Sequence, residues 1–294
     1  MGAFLLATAA PAGGANLVRN GDFEVDVVEW VVEDPEQAIL EWSDTDASGS
    51  AGSGSARVRN VHSGPQQGTG IRQCVGPIAP GASYTFSGKI RLPTGQERTG
   101  GAQIGLRWHA QPNCTGNPLA GQPRREVSTP DDSFVELIST GNIAPPGAMS
   151  AVFLAFPSKV EASGELHAEF DDLRLELESC VASSKVLCLN DERFRVAMTF
   201  ETANGQGGDA QAVALTTDTG YFWFFDAGNV ETVAKVLDGC FLNERYWVFA
   251  GGLTDVQAVL TVADTQTGVV KTYQNPQGAA FQPIQDTAAF ATCP

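Results

Sequence analysis

Tyr84-Thr85-Phe86-Ser87-Gly88-Lys89-Ile90-Arg91-Leu92 alternates apolar and polar side chains along most of its length. Successive side chains of a strand point to opposite faces, so this stretch reads as extended chain with one face buried and one wet. Strand-like stretches recur at 57–59, 71–75, 102–109, 134–139, 151–156 and 170–177. A second series follows at 194–200, 210–215, 221–225, 230–237, 245–250, 258–263 and 269–273. Turn residues fill the gaps, with 32 glycines and 16 prolines in 294 residues, and no long stretch carries helical period. Such punctuation makes an all-β chain of many short strands.

The length fits two domains, and 43% hydrophobic with 18% charged residues fits a folded chain rather than a disordered one. The alternation of Leu173, Leu175 and Leu177 ends at Glu178-Ser179-Cys180, and a new pattern begins beyond Val181-Ala182-Ser183-Ser184. The expected organisation is a first sandwich over 16–178, a linker over 179–187 and a second sandwich over 188–294. About seven strands in the second part match the count of an immunoglobulin-like sandwich. Tyr221-Phe222-Trp223-Phe224-Phe225 is apolar on both sides, as a central strand covered on both faces would be.

A formal net charge of −16 disfavours binding to phosphate backbones and to anionic lipid, so nucleic-acid and membrane-surface functions are not expected. The apolar run Phe4-Leu5-Leu6-Ala7-Thr8-Ala9-Ala10, followed by Pro11-Ala12-Gly13-Gly14-Ala15, resembles the core and cleavage region of a secretory signal. No Lys or Arg precedes it, so residues 1–15 read either as a signal remnant or as a flexible N-terminus. No other stretch approaches the ~20 apolar residues of a membrane span.

Six cysteines fall in no metal-binding spacing, and in an exported chain they read as disulfides. Cys74 and Cys114 are alone in the first part and are expected to pair, a link that would contribute about 3–5 kcal/mol in the chain-entropy model. Cys180, Cys188, Cys240 and Cys293 allow three connectivities; strands running alternately up and down favour Cys188–Cys240 with Cys180–Cys293.

Three histidines (His62, His109 and His167) accompany no nucleophile elbow, metalloprotease helix or phosphate-binding loop. Nothing nominates a catalytic group, and no enzymatic activity is expected.

Four spaced motifs, Asn16-Leu17-Val18-Arg19-Asn20-Gly21-Asp22-Phe23-Glu24, the Gly/Ser loop at 48–55, Pro80-Gly81-Ala82-Ser83-Tyr84 and Phe170-Asp171-Asp172-Leu173, resemble carbohydrate-binding modules of families 4, 9 and 22. The resemblance covers about 16–178. It implies a jelly-roll sandwich, galactose-binding-like, that binds polysaccharide without catalysis. It also implies a structural calcium between the first turn and the last strand, with Asp22, Glu24 and Asp171 as matching acids and Asp172 beside them. The alternative is an acid in a turn and a solvated pair. The second part resembles a domain at the C-terminal ends of exported bacterial proteins, for which it implies no activity.

Sugar binding needs flat apolar surface and polar groups for hydroxyls. Trp30 and Trp108 sit in apolar patterns and read as core. Trp42, between Glu41 and Ser43-Asp44, is the better platform, with its exposure left open. Alternation sets Arg72, Lys89, Arg91, Arg107 and His109 opposite the apolar positions of their strands, as a basic face for a glycan, one bearing carboxylates included. The alternative is a solvated face paired with neighbouring acids. Two functions are therefore expected. The first is a secreted, non-catalytic protein that binds polysaccharide or a cell-surface glycan. The second is a structural or adhesive extracellular protein that self-associates through its sandwiches.

Overall fold

The structure, a computed structural model, describes residues 15–64 and 69–294; the signal-like stretch at 1–14 lies outside them. It is all-β, and the chain divides between Glu176 and Leu177 into two compact units.

The first unit contains β1 (Val31–Val32), β2 (Ala38–Ser43), β3 (Ser55–Asn60), β4 (Ile71–Val75) and β5 (Ser83–Leu92). These are followed by β6 (Gly100–His109), β7 (Arg124–Val127), β8 (Asp131–Ile143), β9 (Ser150–Lys159) and β10 (Leu166–Leu177). They form two five-stranded sheets, ordered β1-β4-β9-β6-β7 and β2-β3-β10-β5-β8. Alternation along β5 turns Tyr84, Phe86, Ile90 and Leu92 inward, each at most 1% exposed. Trp30, Trp108 and Phe153 are buried with them, and Phe86 meets Phe153 edge-on at 6.3 Å.

The opening motif, residues 16–24, forms no strand. Asn20 and Phe23 take positive φ (47° and 44°), which breaks extended geometry and makes residues 16–30 an irregular arm. The arm still docks on β10. Leu17 donates its N–H to the Leu175 carbonyl, and Leu173 donates to Gly21, both at 2.8 Å. A Cβ on Gly21 would sit 2.2 Å from the Leu173 carbonyl oxygen, so only glycine permits this approach.

The second unit contains β11 (Val186–Leu189), β12 (Phe194–Glu201), β13 (Gly207–Asp209), β14 (Gln211–Ala214) and β15 (Thr219–Trp223). Next come β16 (Thr232–Asp238), the helical turn α1 (Cys240–Asn243), β17 (Tyr246–Gly252), β18 (Gln257–Asp264), β19 (Val270–Asn275) and β20 (Ile284–Phe290). That makes ten strands against the seven expected; β14 answers the strand expected at 210–215, and β11, β13 and β20 are the additions. One sheet runs β11-β12-β18-β19 with β13 on β12, and the other runs β14-β15-β16-β17-β20. Phe194, Val196, Leu260 and Val262 of the first share one core with Phe222, Val236, Val248 and Phe290 of the second. Inside it Arg193 is held by Asp264 at 2.8 Å and by the Tyr246 hydroxyl at 3.0 Å.

Two expectations about this unit are corrected. The aromatic run is covered on one side only. Phe222 and Phe224 are buried, whereas Tyr221 and Trp223 are half-buried and Phe225 is 48% exposed. The two sheets pack on each other through one face each, which leaves the other face of β15 outward. The cysteines pair as Cys180–Cys188 and Cys240–Cys293, not as Cys188–Cys240 and Cys180–Cys293. The up-and-down reasoning assumed one continuous series of strands, but β11 and β16 belong to different sheets. A bridge between Ser183 and Val186 folds Cys180 back beside Cys188. Pairing of Tyr246 with Phe290 carries Cys293 to α1.

Candidate functional site

The outer face of the first sheet of the Asn16–Glu176 unit carries the candidate site. Its middle strand, β9, is apolar on both sides. Phe153 and Ala155 turn to the sandwich core, while Val152, Leu154 and Phe156 turn outward and are nevertheless buried. They form a second, smaller apolar cluster with the Cys74–Cys114 disulfide. The disulfide ties the loop that begins at residue 110 across one end of the face.

Strand register places the polar side chains around this strip. Val31, Arg72, Leu154, Gly105 and Arg124 form one continuous row across β1, β4, β9, β6 and β7. Cys74, Val152 and Arg107 form a parallel row, and Phe156, Gln103 and Glu126 another. Arg107 is anchored by Glu33 at 2.7 Å. The Arg124 guanidinium lies 5.4 Å from the Phe156 ring centroid, a cation–π contact. Arg72 is half-buried and makes no hydrogen bond or ion pair among the described residues. His109 is 5% exposed, with Nδ1 3.3 Å from the Thr115 carbonyl; Nε2 has no protein partner among the described residues.

The expected basic face is therefore split. Arg72, Arg107 and His109 share the outer face of the first sheet, but Lys89 and Arg91 lie on the second. Alternation along a strand tells which side of that strand a residue takes, not which sheet it joins, and β5 and β6 enter different sheets. Lys89 pairs there with Asp172 at 2.6 Å. Arg91 and Arg57 both grip Glu169, which is fully buried and also accepts the Ser43 hydroxyl at 3.2 Å. Burial pushes the Glu169 carboxyl up, but the hydrogen bonds from Arg57 and Arg91 outweigh it and hold the group below the usual carboxylate range.

Trp42 is not brought to either polar face. It pairs with inward-turned Ala56, is 39% exposed at the edge of the second sheet and donates its indole N–H to the Phe23 carbonyl at 2.8 Å. Its ring covers Gly54, where a Cβ would come within 2.6 Å of it.

The acids expected to hold calcium do not converge. Among the described residues no group of three or more His, Cys, Asp or Glu side chains is placed to hold a metal. Asp22 and Glu24 are exposed, and Asp22 lines a recess of about 240 Å³ with Asp172, whose carboxylate is already paired with Lys89. Asp171 is 3% exposed and accepts the main-chain N–H groups of Ala47 and Asp172. Burial raises its pKa to about 6. Two exposed acids and one acid turned to main-chain donors do not supply the six to eight oxygens calcium takes.

Arg124, Gln103, Leu154 and Phe156 were missed in the sequence. The signal available was the stretch 151–156, apolar on both sides, which requires a second cover.

Searched by sequence, the chain matches no protein-family model and no curated protein. Solved structures do resemble it. The enzymatically active domain of tailspike protein 4 of bacteriophage CBA120 is 15% identical at a TM-score of 0.43, over 55% of this chain and 21% of that one. An arabinose-bound α-L-arabinofuranosidase is 18% identical at 0.43, over 57% and 27%. The chain thus spans about a quarter of these two proteins or less. The CBM22-1 xylan-binding domain of Xyn10C from Paenibacillus barcinonensis is 13% identical at 0.38, over 58% of this chain and all of that domain.

Proposed function

We propose that the Asn16–Glu176 unit is a non-catalytic carbohydrate-binding module that receives a glycan across the outer face of its first sheet. The observation that carries this reading is the set of Arg72, Gln103, Arg107 and Arg124 on one face, around the buried strip of Val152, Leu154 and Phe156. A sugar chain presents hydroxyls along its length, and hydrogen-bonding side chains gathered on one face complement them. The three disulfides suit an exported protein, where such ligands are met.

The test is retention of the intact protein in gels cast with soluble polysaccharides. At least one polysaccharide should retard it, and Gln103→Ala combined with Arg107→Ala should release it at an unchanged melting temperature. Retardation of the double variant equal to that of the parent would refute the site.

A second reading has its own support. On the second unit Phe241 is fully exposed and Leu242 is 71% exposed, both on α1, which is fixed by the Cys240–Cys293 link. Such side chains fit a structural or adhesive protein that associates through apolar contacts. Sedimentation that stays monomeric up to high concentration would remove this reading.

A further inference from the structure

We propose that this face selects anionic glycans, and polyuronates in particular, by gripping their carboxylates with Arg72 and Arg124; the inference rests on the glycan-binding reading of the same face. Elsewhere in the Asn16–Glu176 unit, every arginine and lysine side chain holds a carboxylate or a main-chain carbonyl. Among the described residues of this unit only Arg72 and Arg124 hold neither, although the chain has 34 acidic residues against 18 basic ones. In so acidic a protein, two guanidiniums left without acids are a selective feature rather than a shortage of partners.

Their placement gives the feature a use. Both stand in the same cross-sheet row, three strand spacings or about 14 Å apart at the backbone. Between them the row holds Leu154, which is buried, and Gly105, which has no side chain. A Cβ at Gly105 would lie 2.9 Å from Cγ of Arg124, so the Arg124 stem lies across the space that glycine leaves. The result is a buried apolar strip with a planar, permanently charged fork at either side. Glu33 is taken up by Arg107, and Glu126 leans over Gly101, where a Cβ would come within 2.2 Å of its Oε1. Neither is paired with Arg72 or Arg124.

A guanidinium matches a carboxylate through two parallel N–H···O bonds, and a polyuronate offers carboxylates at every ring. A neutral glycan would leave both forks solvated and gain nothing from them.

The experiment measures binding of the intact protein to polygalacturonic acid, its methyl ester, a neutral xylan and dextran sulfate, by titration calorimetry at low and moderate salt. Polygalacturonic acid should bind, more weakly as salt rises, and about tenfold or more tighter than its methyl ester. Arg72→Gln and Arg124→Gln should each weaken it by about tenfold or more and together abolish it. Arg98→Gln, which alters a half-buried cation away from this face, should not change binding. Equal binding of acid and ester, or preference for xylan, overturns the inference and leaves glycan binding standing. Dextran sulfate binding as tightly as the polyuronate overturns it too, because charge alone would then suffice. If none of the four binds, the selection is refuted here and the gel assay on a wider panel decides the broader reading. Unchanged melting temperatures of the glutamine variants separate lost contacts from lost fold.

Discussion

On the outer face of the second sheet, Glu169 is fully buried between Arg57 and Arg91, and Lys89 is closed by Asp172. On the outer face of the first sheet, Arg72 and Arg124 flank Leu154 with no acid between them. Both faces belong to one sandwich and draw on the same residue types, yet only one has charge to offer. A buried carboxylate must be compensated by its own protein, so the arginines that hold Glu169 cannot leave it for a ligand without exposing the cost of an unpaired buried charge. Arginines over an apolar floor carry no such obligation. A basic cluster read from sequence therefore has two meanings, and the difference lies in whether an acid is buried beneath it.

The contrast predicts unequal effects of substitution. Arg57→Ala combined with Arg91→Ala leaves the Glu169 carboxylate buried and unpaired and should cost about 3–5 kcal/mol in guanidinium chloride unfolding, by analogy with broken buried ion pairs. A loss below about 1 kcal/mol would mean that the second face is as loosely held as the first.

A smaller effect separates two acids on the same strand. Asp171 lies two residues from Glu169 and titrates the other way, its pKa raised to about 6 by burial. Between its ordinary value and about 6 the unfolded chain releases this proton first, so rising pH weakens the fold through that window and leaves a penalty of about 2–3 kcal/mol at pH 7. Glu169, held below its usual value, gives stability at neutral pH that is lost as pH falls through its folded pKa. Unfolding of Asp171→Asn at pH 4 and pH 7 should show the variant gaining on the parent by about that amount at the higher pH. A difference that does not change with pH would break the assignment.

The smallest effects belong to the first face. Arg124→Gln should cost no more than about 1 kcal/mol, the scale of one exposed cation–π contact, and Arg72→Gln within about 0.5 kcal/mol. Thermal unfolding measures both. A large loss at either position would make these arginines structural and erase the contrast.

Much of the strand pattern was legible because alternation is local. β5 and β6 could be read residue by residue as to which side faced in. Their assignment to opposite sheets could not, since it depends on connections that no window of sequence contains, and Lys89 and Arg91 were misplaced for that reason. β7 escaped notice because Arg124-Arg125-Glu126-Val127 is four residues with three charges and buries only Val127. Strands β9 and β15 carry the same signal, apolar on both sides, with different outcomes. The outward residues of β9 are covered by the disulfide and by arginine stems, whereas Tyr221 and Trp223 stay half open. Asp171 was legible as an unusual acid, but the partners it found were main-chain N–H groups.

The Cys74–Cys114 link ties two parts of the chain 40 residues apart across the end of the arginine face, while each sheet is held by its own backbone ladder. Where thiols stay reduced, the ladders remain possible but the loop carrying Cys114 loses its covalent tie and keeps only hydrogen bonds, Cys114 to Ser150 among them. Being folded and having this loop fixed covalently are then separate stages, and the second needs an oxidant. Reduced material can keep its strand content while the end of this face lacks its covalent tie.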